Sequence, residues 1–199
     1  REILIKVLDL FDKVQKSVSP LFAVDIGCGH GADTLELLRR GWKVLAIDNN
    51  TEGLLLLEES VAPDLKQNLK VSNMSFENIN LVRVAIQMDP VENINIDKCD
   101  LVNAGFSIPF CSPEYFMNLW RKIENSIVNG GRFSGNFFGI NDEWANSEKM
   151  TFHTQEEILK LFNKFEIEYF HERDEDGVTA SGAAKHWHVF SVIARKVKI

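Results

Sequence analysis

Long apolar runs, cysteine and positive charge are all scarce in this 199-residue chain, and each scarcity excludes something. No apolar run reaches the roughly 18 residues that a membrane-spanning helix needs. No secretory leader is read, although the chain opens on Arg1 rather than Met. The three cysteines, Cys28, Cys99 and Cys111, have the spacing of neither a disulfide framework nor a zinc site. The expected setting is therefore a reducing cytoplasm, with no metal. Lys and Arg number 22 against 29 Asp and Glu, a net charge of −7. That balance argues against a broad nucleic-acid or anionic-membrane surface. No repeat and no low-complexity linker interrupts the chain. What is present is an ordinary globular composition, 45% hydrophobic and 26% charged. A chain of this length buries a core without staples. One domain over 1–199 is expected, with residues 1–20 as an N-terminal helix and 21–199 as the core.

Residues 2–16 place Ile3, Val7, Leu10 and Val14 on one helical face. Residues 21–26 form a short apolar run, read as a buried parallel strand, and a glycine cluster follows at once. A helix over 32–40, a strand over 43–47 and a leucine-rich helix over 51–60 continue a βαβα alternation. This predicts a parallel sheet covered by helices on both faces. Residues 81–87 read as the third strand, with 69–74 as their rival. Residues 100–104 and 132–138 read as strands four and five, with a helix over 113–128 between them. Thr154 and Glu157 form a capping box for a helix over 154–162. Residues 165–170 and 187–194 are the last two strands, expected as an antiparallel hairpin. The acidic run at 172–176 is read as its solvated tip.

The sharpest signal is Asp25-Ile26-Gly27-Cys28-Gly29-His30-Gly31. A strand running into alternating glycines makes a tight turn that backbone and ligand can approach closely. Asp48, at the end of the next strand, can accept hydrogen bonds from both hydroxyls of a ribose. Two cofactors compete for this pattern. Gly27-x-Gly29-x-x-Ala32 also fits the nicotinamide-dinucleotide fingerprint. Asp25 favours S-adenosylmethionine, because a carboxylate there suits a cationic amino-acid end and repels a pyrophosphate. Gly31 is read as making room for that end. Neither Tyr115 nor Tyr169 is followed by Lys four residues on, as a hydride-transfer pair would require.

Residues 23–48 (AVDIGCGHGADTLELLRRGWKVLAID) resemble motif I and the following acidic motif of class I S-adenosylmethionine-dependent methyltransferases. The segments DLVNAGFSIPFCSPEYF, GGRFSGNFFGINDEWA, MTFHTQEEI and KHWHVFSVIARK extend the resemblance towards the bacterial tellurite-resistance-like small-molecule methyltransferases. The resemblance implies a Rossmann-like α/β sandwich with a seven-stranded, mostly parallel sheet of order 3-2-1-4-5-7-6, strand 7 antiparallel. It implies methyl transfer to a small-molecule acceptor, with S-adenosylhomocysteine as product. Cofactor contacts are expected from Asp25, Gly27, Cys28, Gly29, Gly31, Asp48, Asn49, Asn103 and Ala104. The adenine position after strand 3 is expected near Met88 and Asp89. The stretch between Asp48 and Asp100 is longer than the family usually has, by roughly a dozen residues. Strand 3 therefore ends near either Asp89 or Asn73.

Methyl transfer needs orientation more than acid–base machinery, and no catalytic triad is visible. Asn103-Ala104-Gly105-Phe106 stands where base- and glutamine-methylating enzymes carry two prolines, and it lacks both. Pocket candidates are Phe106, Phe110, Trp144, His153 and His186. Trp144 is a lid or a loop anchor, and His153 reads equally as a plain loop residue. His186 and His188 share one strand face, a weak metal signal. An oxidoreductase and a cofactor-binding module without transferase activity remain alternatives.

Overall fold

The computed structural model describes residues 2–14, 20–79 and 98–197. Helix α1 (Glu2–Val14) buries Ile3, Leu4, Val7, Leu8 and Phe11, the i, i+1, i+4 stripe of an amphipathic helix. Strand β1 (Phe22–Ile26), helix α2 (Ala32–Arg39), strand β2 (Lys43–Asp48) and helix α3 (Thr51–Ser60) follow the expected alternation. Strand β3 is Leu69–Asn73 and β4 is Cys99–Ala104. Helix α4 (Pro113–Ser126) leads into β5 (Ile127–Gly139). A two-residue strand β6 (Phe152–His153) precedes helix α5 (Gln155–Leu161), and β7 (Phe165–Val178) and β8 (Ala184–Lys196) close the chain.

The sheet order is β3-β2-β1-β4-β5-β8-β7, with β6 paired to the end of β5. Setting that two-residue strand aside, this is the expected order. Strand β8 runs antiparallel between β5 and β7. Side chains alternate between faces along each strand. Ala23, Val44, Ala46, Leu101 and Ile193 pack under α1, α2 and α3, while Val24, Ile26, Leu45, Ile47 and Val102 pack under α4 and α5. The result is a Rossmann-like three-layer sandwich. No helix among the described residues is long and apolar enough to cross a membrane.

Three expectations are corrected. The strand beside β2 is Leu69–Asn73, register Val44↔Leu69 to Asp48↔Asn73, and not residues 81–87, which lie outside the described residues. Strand β5 begins five residues early, at Ile127, with an irregular register against β4 that carries the chain past Gly130 and Gly131. The acidic run 172–176 is not a hairpin tip. It is the second half of β7, paired to β8 from Glu172↔Phe190 to Asp176↔His186, and the turn lies beyond Val178. Histidines on the facing strand give those carboxylates partners that the sequence pattern did not reveal.

Candidate active site

The carboxyl ends of β1, β2, β3 and β4 surround a cleft of about 460 Å³. Its floor is the turn after β1, where Gly27 N–H and Cys28 N–H donate to Ile47 O at 2.7 and 3.1 Å. Gly29 has φ +54° and faces open space, so only its backbone conformation demands glycine. Gly31 differs: a Cβ there would stand 2.2 Å from Leu57 Cδ1. That glycine allows the close packing of the α2 start on α3. The Asp48 carboxylate accepts Gly29 N–H at 2.7 Å on one oxygen and Asn50 N–H at 2.8 Å on the other. Both oxygens are thereby fixed at the rim, each with a lone pair to spare. Asp48, Asn49, Gly27, Phe106 and Phe110 all line the cleft.

Behind the glycine turn runs a buried polar chain. Asp25 is 2% exposed and accepts Thr34 Oγ1 at 2.6 Å and Asn103 Nδ2 at 2.9 Å. Asn103 also donates to Asp33 at 3.1 Å and accepts Ser134 Oγ at 2.7 Å. Burial raises the Asp25 carboxyl to about 6, and the nearby Asp33 and Asp48 charges push the same way against its two hydrogen bonds. Cys28 is half-buried, and burial beside Asp25 and Asp48 holds its thiol well above its ordinary range, which leaves it inert as a nucleophile. Ala104 is fully buried at the end of β4.

Met88 and Asp89 lie outside the described residues. The segment that follows β3, with Met74, Ser75, Phe76 and Glu77, forms the cleft wall facing the glycine turn. None of these four was among the residues expected from the sequence, where the position after strand 3 was placed near Met88 and Asp89. The rival strand at 69–74 was the signal that could have found them. Asp33, the acidic residue in the first turn of α2, was not singled out from the sequence and meets Asn103 here.

The other candidates divide. Phe106 has φ +53°, the one positive φ of a non-glycine among the described residues, and such strain collects at functional sites. Its ring packs edge-on to Phe138 and Trp187, each at 6.4 Å. Trp144 joins the same group, 5.7 Å from Trp187 and 6.4 Å from Phe110. At the centre sits the Lys185 ammonium, 3.9 Å from the Trp187 ring and 4.3 Å from Trp144, ion-paired with Asp142. Asp142 also accepts the N–H groups of Trp144 and His188, at 3.0 and 3.2 Å. His186 is turned away from this group: its two ring nitrogens meet Asp176 and Asp174, each at 2.7 Å. These carboxylates raise its pKa. His188 accepts Asn141 N–H on Nδ1 at 3.1 Å, so its Nε2 proton goes to Glu172 at 2.9 Å. His153 lies in a strand rather than a loop. It pairs with Gly139 in β6 and lies 4.5 Å from the Phe116 ring, where burial lowers its pKa to about 4.

The chain has the fold of the class I S-adenosylmethionine-dependent methyltransferases. The model of the tellurite resistance protein TehB family matches residues 6–96. The crystal structure of TehB from Haemophilus influenzae superposes with a TM-score of 0.70 at 17% identity, covering 96% of this chain and 61% of that one. A 1,6-didemethyltoxoflavin-N1-methyltransferase from Burkholderia thailandensis, with bound S-adenosylhomocysteine, superposes with a TM-score of 0.66 at 14% identity, covering 100% and 78%. A carboxy-S-adenosyl-L-methionine synthase from Shewanella piezotolerans is 28% identical over 125 residues, 60% of this chain and 46% of that protein. The chain thus spans less than half the length of the curated relatives it matches.

Proposed function

We propose that the chain binds S-adenosylmethionine in the cleft at the glycine turn and methylates a small molecule. The carrying observation is the fixed Asp48 carboxylate opposite a left-handed Gly29 at the carboxyl edge of the sheet. The residues suit such a group. Gly29 leaves an open cradle, Asp48 offers acceptors to ribose hydroxyls, and Asp25 and Asp33 supply negative potential for a cationic amino-acid end. Met74 and Phe76 offer an apolar wall for adenine, with Ser75 and Glu77 at its edge. Bound there, S-adenosylmethionine supplies an electrophilic methyl group: the acceptor lone pair forms the new bond to carbon as the carbon–sulfur bond breaks and sulfur keeps its electrons. The chain's own part is to bind, align and exclude water, which is where Phe106, Phe110 and Trp144 enter. The three free thiols and the acidic surface fit a cytoplasmic enzyme with a small acceptor and no nucleic-acid substrate.

The test is incubation with methyl-labelled S-adenosylmethionine and a small-molecule extract. Label should pass to a low-mass product with the wild type, and more slowly with Asp48→Ala at limiting S-adenosylmethionine. Label found only on macromolecules, or none at all, would reject the reading. The name of the curated relatives suggests a second reading, in which the cofactor itself is carboxylated. The product's mass separates the two.

A further inference from the structure

Phe106 stands between two clefts. Its ring lines the cofactor cleft and also a second one, of about 470 Å³, on the α1 face of the β7–β8 hairpin. The second cleft is walled by Lys6, Asn136, Tyr169, His171, Arg173 and Ser191. Its charged groups come from α1 (Glu2 and Lys6) and β7 (His171 and Arg173). Glu175 lies two residues further along β7. Lys185, from β8, is spent on Asp142.

The hydrogen-bonding capacity of this cleft is lopsided. Two of its acceptors are engaged: Asn136 Oδ1 receives Phe106 N–H at 3.3 Å, and one Glu2 oxygen receives Lys6 Nζ at 2.5 Å. Some of its donors are not. Among the described residues the Tyr169 hydroxyl and the Arg173 guanidinium donate no hydrogen bond, and the carboxylate paired with Arg173, Glu175, stands 4.0 Å away. Ser191 Oγ receives Asn136 Nδ2 at 2.9 Å, which leaves its own proton free to point elsewhere. Unengaged donors suit a ligand that accepts, and a planar guanidinium suits a carboxylate in particular. A cleft of this volume takes an organic molecule and is far too roomy for a bare oxyanion. The Phe106 and Tyr169 rings offer that molecule an apolar body contact. The polarity is opposite to that of the first cleft, where carboxylates await a cationic donor.

We propose that the second cleft is the acceptor site and holds a small organic carboxylic acid, anchored by Arg173 and Tyr169, with its nucleophilic atom reaching the methyl group past Phe106. The proposal rests on the methyltransferase reading. Its test is saturation-transfer NMR on the full chain, with and without S-adenosylhomocysteine, using benzoate, phenylacetate and their amides as probes. The acids should bind at least ten-fold tighter than the amides. Arg173→Ala should cost the acids at least ten-fold, and Tyr169→Phe, which removes only a hydroxyl, should weaken them less. Equal binding of acids and amides, no binding of either acid, or an unaffected Arg173→Ala would overturn the proposal. Titration of the same samples with S-adenosylhomocysteine keeps the two claims apart. If it fails to bind, the methyltransferase reading falls; if it binds and the acids are not preferred, only this inference falls.

Discussion

Gly29 donates its backbone N–H to the Asp48 carboxylate at 2.7 Å, so the turn after β1 and the end of β2 hold each other in place. The same carboxylate therefore does two jobs, closing the turn and facing the cleft. Asp48→Ala should weaken S-adenosylhomocysteine binding by about 1.5–3 kcal/mol, the scale of lost hydrogen bonds to a charged group. Asp48→Asn, which keeps an acceptor oxygen, should lose less. Calorimetric titration of both variants checks the order.

Asp25 predicts a pH dependence in the ligand-free protein. Its folded pKa of about 6 stands above the roughly 3.9 of an unfolded aspartate. Between those values the native state holds the extra proton. Stability is thus full below pH 4 and falls as pH rises through about 6, by an order of 2–3 kcal/mol from this group. A cationic ligand favours the carboxylate, so cofactor affinity should rise over the same interval. Denaturant melts and titrations at pH 5, 6 and 7 measure both trends, and Asp25→Asn should flatten them.

Lys185 and Asp142 form a buried ion pair beneath Trp144 and Trp187. Removing one charge strands the other, at a cost of about 3–5 kcal/mol. Lys185→Met and Asp142→Asn should each lower stability on that scale, and the double variant should cost less than their sum. A double-mutant cycle by urea denaturation gives the coupling.

Trp144→Ala should slow turnover more than it weakens S-adenosylhomocysteine, whose affinity should stay within about 1 kcal/mol of wild type. Steady-state rates and a binding titration on the same preparation decide it. Equal losses in both would make Trp144 a cofactor contact.

His186, held between Asp174 and Asp176, should titrate above its ordinary 6.5 by NMR. Its contribution to stability is present below that value and fades as pH rises through the higher folded one. Asp176→Asn should move the midpoint down.

Much of this was legible in the sequence because local chemistry dictated it. The Gly27–Gly31 turn, the βαβα alternation and the Thr154–Glu157 capping box were all found in place, the box with both of its hydrogen bonds. What failed needed tertiary information. Leu69–Asn73 carries Lys70 and Ser72 and shows no apolar run, because an edge strand is only half-covered. The more apolar 81–87 outbid it. The acids of β7 looked like a solvated turn because His186 and His188, which partner them, lie 10 to 16 residues further on. His153 looked like a loop residue because nothing local showed that Phe116 and Phe137 would enclose it.

The central claim is that the cleft between Gly29, Asp48 and the segment after β3 is a cofactor site. Isothermal titration of the folded chain with S-adenosylhomocysteine tests it most directly. The account predicts one saturable site, weakened by Asp48→Ala and unaffected by competing dinucleotide. A folded sample that gives no binding heat and no shift in melting temperature with either S-adenosylhomocysteine or S-adenosylmethionine would contradict it.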